Sequence, residues 1–393
     1  MLSLFPNYNF FYNNGNIIAQ YIVTGDKMII GVPKEIKTDE YRVAVTPSGV
    51  KELVAKNHKV YVQAHAGEGS GFSDSDYKVA GAVLLESASE LFSLADMIVK
   101  VKEPVAEEYA LFKPNQTLFT YLHLAADEAL THFLLEKGIR AFAYETLEVE
   151  GRLPLLEPMS EVAGKMAAIM SAVHLGRYQG GSGLLIGGTV GTARAKVMVL
   201  GGGVAGKAAA EVAAGLGADV TILDVDAKRL HYLHDVMPAN VATLYSSSEA
   251  IASLLPHVDI IIGTVLIHGA KTPKLITRDM LSKMKQGSVL VDVSIDQGGC
   301  FESSHATTHS APTFVEKGIV HYCVSNMPGA YPSTSTYALT NATLPYIKEL
   351  ARYGAEHVWQ EKPVMVSALN TYDGVLYNKA VGVAHKIESK EFV

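Results

Sequence analysis

The chain has 393 residues, 48% of them hydrophobic and 19% charged. That balance is too apolar for a disordered chain, and at about 150 residues per domain it suggests two or three domains with cores needing no disulfide or metal staple. The 33 Lys and Arg against 40 Asp and Glu leave a net charge of −7, so there is no basic excess with which to grip a nucleic-acid backbone. Residues 1–27 are rich in Asn and aromatics, have no basic side chain before Lys27, and lack the basic start, apolar run and small-residue site of a secretory signal. They read as a disordered tail or an upstream start-site artefact. Residues 28–32 (MIIGV) then read as a buried strand bounded by Pro33. Thr46-Pro47 opens a helix, with Thr46 as N-cap and Pro47 at its first position. Strands are expected at 59–63, 96–101, 118–121 and 141–144, with a helix over 126–137. Ser160 is expected to cap an apolar-periodic helix over 162–178, ahead of the Gly-rich stretch 180–191. A second alternating unit follows, with strands at 197–200, 220–224, 259–262, 288–293 and 319–324. Residues 335–353 read as a helix kinked at Pro345, and the tail as a last helix.

Strands alternating with helices indicate parallel sheets. The fold class expected is α/β, with two Rossmann-like domains around an interdomain cleft and the first domain discontinuous. The boundaries expected are 28–157 plus 333–393 for a substrate domain and 158–332 for a nucleotide domain. No stretch reaches the ~18 apolar residues of a membrane span.

The chemistry is most legible at Lys196–Gly206, KVMVLGGGVAG. Gly201, Gly203 and Gly206 fit the G-x-G-x-x-G fingerprint directly after an apolar strand and ahead of a strong helix former. Gly201 permits the tight turn, Gly203 the approach of a pyrophosphate, and Gly206 close helix–strand packing. The helix N-terminus offers free N–H groups to the phosphates. The next strand ends in Asp224, eighteen residues beyond Gly206, where a carboxylate accepts bonds from ribose hydroxyls. With Asp226 beside it and no Arg directly after Asp224, a 2′-phosphate would be repelled, so NAD is expected rather than NADP. Lys228 and Arg229 are the residues that weigh the other way.

In open parallel sheets ligands sit outside the carboxyl ends of the strands. That rule selects Arg42, Lys102 and His123 in the first unit: Arg and Lys for a small carboxylate or carbonyl, His to carry a proton near neutral pH. In the second unit it selects Asp296, followed by Gly298-Gly299, then Asn326-Met327-Pro328, with His268 and Lys271 as rim contacts. Each has an ordinary alternative as a turn, solvated or core residue. Cys300 has no visible base partner, no metal-binding spacing occurs, and two cysteines (Cys300 and Cys323) cannot form a disulfide framework, which points to a reducing cytoplasm.

Several blocks together resemble the bacterial L-alanine dehydrogenases. They are Gly31-Val32-Pro33-Lys34-Glu35 with Tyr41-Arg42-Val43-Ala44, Gly67-Glu68-Gly69-Ser70, Val101-Lys102-Glu103-Pro104, Leu122-His123-Leu124-Ala125, the run Pro158 to Gly164, the Gly201 turn, Ile295 to Cys300, Asn326-Met327-Pro328, and Ser335 to Thr343. The resemblance covers Met28 to about His357. It implies reversible oxidative deamination of L-alanine by NAD to pyruvate and ammonia. It implies that Arg42 and Lys102 bind the substrate, that His123 is the acid/base, and that Asp296 assists the water and carbinolamine steps. The cofactor set it implies is Ser160, Gly201, Gly203, Val204, Ala205, Gly206, Asp224, Val265, Leu266 and Asn326. It also implies a homo-hexamer. The soluble domain of a proton-translocating nicotinamide transhydrogenase shares many blocks, but its comparable loop resembles E-Q-G-G-N rather than Asp296 to Cys300. An opine-type dehydrogenase and a non-enzymatic NAD-binding sensor are the other readings. The sensor would require the loss of at least one of Arg42, Lys102, His123 and Asp296, all of which are present.

Overall fold

The computed structural model describes residues 8–13, 16–21, 27–265 and 272–392. Strands β1 (Tyr8–Asn13) and β2 (Asn16–Tyr21) pair antiparallel within the extension that was expected to lack structure. Between the two runs the sequence reads Asn14-Gly15, the dipeptide most favoured in two-residue hairpins, a signal that composition alone obscured.

The first βα series is β3 (Ile29–Val32), α1 (Pro47–Ala55), β4 (Lys59–Gln63), α2 (Asp74–Val79), β5 (Val83–Leu85), α3 (Ala88–Leu94), β6 (Met97–Val99), α4 (Ala106–Tyr109), β7 (Thr117–Thr120), α5 (Glu128–Glu136) and β8 (Arg140–Ala143). The second is α6 (Glu157–His174), β9 (Lys196–Leu200), α7 (Val204–Gly215), β10 (Asp219–Asp224), α8 (Ala227–Val236), β11 (Val241–Tyr245), α9 (Ser248–Leu254), β12 (Ile260–Gly263), β13 (Val289–Asp292), β14 (Thr313–Glu316) and β15 (Ile319–Tyr322). The chain ends with α10 (Pro332–Glu361), α11 (Met365–Ala368), β16 (Leu369–Tyr372), β17 (Val375–Leu376) and α12 (Lys379–His385). It divides into two compact units, Met1–Leu155 with Pro332–Val393, and Leu156–Tyr331.

In the first unit eight strands run β17-β16-β8-β7-β6-β3-β4-β5. From β8 to β5 every pairing is parallel, while β16 joins β8, and β17 joins β16, antiparallel. In the second unit the order is β11-β10-β9-β12-β13-β15-β14, parallel except for the antiparallel β14 edge. The sheets are thus parallel as expected except at one margin of each. There the β14–β15 and β16–β17 pairs are joined by short hairpin connections, which only antiparallel neighbours allow. The strands β5, β11 and β14, which the pattern reading passed over, are edge or near-edge strands whose exposed residues break up the apolar run.

Alternation along β9 divides the second core. Val197 and Val199 join Val220, Ile222, Ile260 and Ile262 on one face, while Met198 and Leu200 join Leu223, Ile261 and Leu290 on the other. Successive side chains leave a strand on opposite faces, so a sheet covered by helices on both sides reads as a continuous apolar run. Helix α6 starts earlier than expected. Pro158 lies in its first turn, where a missing N–H costs nothing, so the helix opens at Glu157, and Ser160 sits inside it rather than capping it. The break in α10 falls at Gly354 (φ 70°, ψ 164°), not at Pro345, which stays within the helix.

Helices α6 and α7 meet so closely that a Cβ on Gly164 would collide with the Ala205 carbonyl, whereas one on Gly215, at the end of α7, would meet open space. Gly164→Ala should therefore destabilise the protein by about 1–3 kcal/mol through overpacking. Gly215→Ala should be neutral or stabilising by up to about 1 kcal/mol, through reduced freedom of the unfolded chain. Urea unfolding of the two variants against the parent checks the opposite signs.

Candidate functional site

Strand order reverses direction once in each sheet: between β3 and β6 in the first unit, and between β9 and β12 in the second. At such a switch the loops leaving neighbouring strands turn to opposite sides and leave a crevice at the carboxyl edge.

At the first unit's switch, the loop after β3 carries Lys37, Glu40 and Arg42, and the loop after β6 carries Lys102 and Glu103. His123 and Glu145 follow the ends of the next strands, β7 and β8. Arg42 is buried, and Glu40 holds its guanidinium: Nε donates to Glu40 Oε1 at 2.7 Å, Nη2 to Oε2 at 2.5 Å, and the Arg42 backbone N–H to Oε1 at 3.0 Å. Burial alone would lower this guanidinium's pKa, but Glu40 outweighs it and raises it. Lys102 Nζ lies 3.4 Å from Glu103 Oε2, and Lys37 pairs with the other Glu103 oxygen. The Lys102 carbonyl accepts a bond from Thr120 Oγ1 at 3.0 Å, fixing its backbone to the end of β7. Burial would raise the Glu103 carboxyl, but the charges of Lys102, His123 and Lys37 overcome this and hold it at about 2. Lys102 and His123 thus both lie close enough to Glu103 for their charges to act on its carboxyl.

His123 adopts a left-handed backbone (φ 51°, ψ 33°), a conformation costing a non-glycine residue roughly 1–2 kcal/mol. Its exposed ring stacks at 5.9 Å on Tyr121, whose hydroxyl donates to the Leu155 carbonyl at 2.6 Å. Beneath these groups Lys100 is fully buried between Glu35 (3.2 Å) and Glu108 (2.7 Å), and burial raises the Glu35 carboxyl despite that ammonium. Glu35 also accepts the Val101 N–H at 2.7 Å, immediately before Lys102.

The second unit's switch holds the glycine turn. Gly201 has φ 96°, donates its N–H to the Leu223 carbonyl at 2.8 Å, and accepts from Thr264 Oγ1 at 2.8 Å. A Cβ on Gly206 would collide with the Gly201 carbonyl, so only glycine lets α7 begin this close to the turn. A Cβ on Gly203 would meet nothing within 4 Å, and Gly203 gives α7 no side-chain cap. The first turn of this twelve-residue helix, with Val204 and Ala205, therefore presents uncapped N–H groups beside open space, which fits the pyrophosphate of a dinucleotide. Asp224 accepts the N–H of Gly202 at 2.6 Å and that of Asp226 at 2.9 Å.

Asp226 does not simply add negative charge for a ligand. It caps α8 by accepting the Lys228 N–H at 2.8 Å. Arg229 turns back on the loop, donating to the Gly202 carbonyl at 2.5 Å and the Gly203 carbonyl at 3.2 Å, and lies over the Tyr232 ring. Ser160 lies partly buried on α6, which packs on α7. Val265 follows Thr264 at the end of β12; Leu266, His268 and Lys271 lie outside the described residues. Asp296 is exposed in the 3-10 turn Ile295–Gln297, and its Oδ2 accepts the N–H of Asn326, another left-handed residue (φ 57°), at 3.5 Å. Cys300 is buried against Asp292 with its thiol pushed far up by burial, which removes it as a nucleophile. Among the described residues, no cluster of three or more His, Cys, Asp or Glu is placed to hold a metal.

Sequence reasoning missed Lys37, Glu40, Glu103, Tyr121 and Glu145. The strand-end rule that selects Lys102, His123 and Asp296 applies equally to Glu103 and Glu145.

Two family models match the chain: "Alanine dehydrogenase/PNT, N-terminal domain" over residues 31–163 and "Alanine dehydrogenase/PNT, C-terminal domain" over 167–379. The chain is 54% identical over 365 residues to an alanine dehydrogenase of Halomonas elongata, covering 93% of this chain and 98% of that one. It is 49% identical over 362 residues to an alanine dehydrogenase of Methanococcus maripaludis, covering 92% and 97%. A solved L-alanine dehydrogenase superposes with a TM-score of 0.88 at 46% identity, covering 91% of this chain and 99% of that one. A transhydrogenase from Sinorhizobium meliloti superposes with a TM-score of 0.76 at 25% identity, covering 90% and 99%.

Glu103 yields a pH prediction. Its carboxyl is held at about 2 in the fold, below the ordinary 4.5. Its ionised form therefore stabilises the fold fully above pH about 4.5, and that contribution fades as the pH falls through about 2. Glu103→Gln should cost stability at pH 7, and the gap to the parent should narrow steadily towards pH 3 in urea titrations. A gap independent of pH would contradict the assignment.

Proposed function

The chain belongs to the alanine dehydrogenase/PNT family, and from that premise we propose that it is an NAD-dependent alanine dehydrogenase. It interconverts L-alanine, NAD⁺ and water with pyruvate, ammonium, NADH and a proton. The observation that carries this reading is the set Arg42 and Lys102 at the strand-order switch of one unit with His123 after the next strand, on a chain whose other unit has an uncapped, glycine-lined helix start at its own switch.

When bound, NAD supplies the hydride acceptor. The groups proposed to hold it are the first turn of α7 with Gly201, Gly203, Val204, Ala205 and Gly206, then Asp224 at the adenosine ribose, and Ser160, Val265, Leu266 and Asn326. Arg42, its plane set by Glu40, holds the substrate carboxylate. Lys102 exchanges part of its interaction with Glu103 for the substrate oxygen and stabilises negative charge developing there. His123 takes a proton from the substrate ammonium in deamination, and returns one to oxygen or nitrogen in the reverse direction. Asp296 orients the water that adds to the imine carbon and helps the carbinolamine collapse to pyruvate and ammonia.

The transhydrogenase reading is the weaker one: that relative is 25% identical against 46–54% for the alanine dehydrogenases. No helix among the described residues is long and apolar enough to cross a membrane. A cytoplasmic setting is supported by Cys300 and Cys323, both free and buried. A hexamer is supported by large apolar side chains left exposed on the second unit, Ile169 and Val173 on α6 with Tyr178, Leu185 and Val190 after it.

Three measurements test this function. NADH should be oxidised in the presence of pyruvate and ammonium together, and hardly at all without ammonium; a lack of turnover with both would reject the activity. His123→Ala should lower kcat by about 100-fold or more while the NADH Kd stays within about twofold, and Asp224→Ala should weaken NADH binding about tenfold. Light scattering should give six times the 42.2 kDa chain mass, and Val173→Asp with Ile169→Asp should shift it to smaller species.

A further inference from the structure

The N–H groups of Leu122 and His123 lie just beyond the last rung between β7 and β8, where Thr120 pairs with Ala143. No backbone carbonyl of the ladder reaches them. Glu145, two residues past Ala143 on the neighbouring strand, fills that gap with its side chain. Its Oε1 accepts the His123 N–H at 2.6 Å and the Leu122 N–H at 3.0 Å, and its Oε2 lies 3.2 Å from the latter. The residue held in this way has a left-handed backbone that a histidine rarely adopts. The following residue is fixed as well, because the Leu124 carbonyl bonds His385 Nε2 of α12 at 2.6 Å and Thr131 Oγ1 at 3.3 Å. The His123 ring, though exposed, therefore leaves the sheet in one direction.

We propose that Glu145 is a positioning residue for the reaction, its carboxylate clamping the two N–H groups that present the His123 imidazole to the substrate. This rests on the reading of His123 as the proton carrier. A carboxylate suits the task because both donors face the same point and it offers only acceptors. Glutamine at 145 would keep an oxygen able to accept both N–H groups, but without the carboxylate charge and with its NH2 turned toward the Leu122 N–H in place of Oε2. Alanine would leave both donors without a partner, and the left-handed turn would relax. A proton carrier displaced by about 1 Å loses on the order of 10²-fold in rate.

The test uses the full-length protein as Glu145→Gln, Glu145→Ala, His123→Ala and the double variant Glu145→Ala/His123→Ala. For each, kcat, the KM for pyruvate and the NADH Kd are measured. A clamp acting through His123 predicts kcat falling in the order parent, Gln, Ala, by about 10- to 100-fold at alanine, with KM and Kd within about threefold. It also predicts that the double variant turns over no more slowly than His123→Ala alone, because positioning has no value once the imidazole is gone. A purely structural role would instead lower the double variant further or move the NADH Kd. Should Glu145→Ala fail to fold, the isosteric Glu145→Gln carries the kcat test. Parent-like kcat in the Glu145 variants with His123→Ala inactive overturns the clamp alone. Parent-like kcat in His123→Ala overturns both the clamp and the reading on which it rests.

Discussion

The constraint on which the chemistry depends is the reversal of strand order in each parallel sheet. A βα unit can leave the central strand toward either neighbour, and where successive units go opposite ways no helix covers the carboxyl end between them. In the first unit that gap lies between β3 and β6, and the loops emptying into it carry Arg42 and Lys102. In the second it lies between β9 and β12, and the loops there carry Gly201 to Gly206 and Thr264-Val265. Both units use one architectural device for different ends: side chains in one, backbone amides in the other. The apolar strands Val197–Leu200 and Ile260–Ile262 are the means by which this is held, since a rigid two-sided core keeps the strand ends in place.

The first unit solves a second problem, that of gathering several cations near one edge. Each is paired with a carboxylate: Arg42 with Glu40, Lys102 and Lys37 with a shared Glu103, and Lys100 with both Glu35 and Glu108. A buried cation without a partner is costly, whereas a paired one is near balance. The two classes of pair differ in what they allow. Glu40 grips the guanidinium on two nitrogens and fixes its plane, while Glu103 meets Lys102 at one oxygen and at a longer distance. Arg42 is thus set as a rigid plate, and Lys102 is the adjustable charge.

Fold class and the nucleotide turn were legible because they depend on local regularities: period-two and period-3.6 apolar patterns, and three glycines whose spacing is imposed by one turn. Gly201 with its positive φ and Gly206 with no room for a Cβ are cases where backbone geometry dictates the residue. What escaped depends on neighbours distant in sequence. Glu145 meets His123 across 22 positions and Lys37 meets Glu103 across 66, so strand-end position marks Glu103 and Glu145 as candidates but does not show which group each one holds. Edge strands escaped for a related reason. β11 and β14 are paired by the sheet but half wetted, so their side chains do not have to be apolar. Asp226, read from sequence as a charge that repels a 2′-phosphate, also caps α8, because sequence shows that an acid is present without showing which N–H it accepts.

The two units share one further device, which bears on why strain is tolerated at these strand ends. β7 and β15 are each followed by a non-glycine residue in the left-handed region, His123 and Asn326, and each of those opens a short 3-10 turn. In each case a carboxylate accepts the N–H of the strained residue, Glu145 at 2.6 Å and Asp296 at 3.5 Å. A left-handed residue reverses the chain within one step, so the side chain leaves the sheet edge instead of running on along the strand. Such a conformation persists only when its surroundings over-determine it. The shorter contact marks the firmer of the two: His123 is held from its N–H, through its stacked ring, and by the bonds to the next carbonyl. The Asn326 N–H has the longer contact, to the exposed carboxylate of Asp296. The oxygens of Glu145 face two successive backbone N–H groups, so the orientation of His123 is set by the backbone on both sides of it.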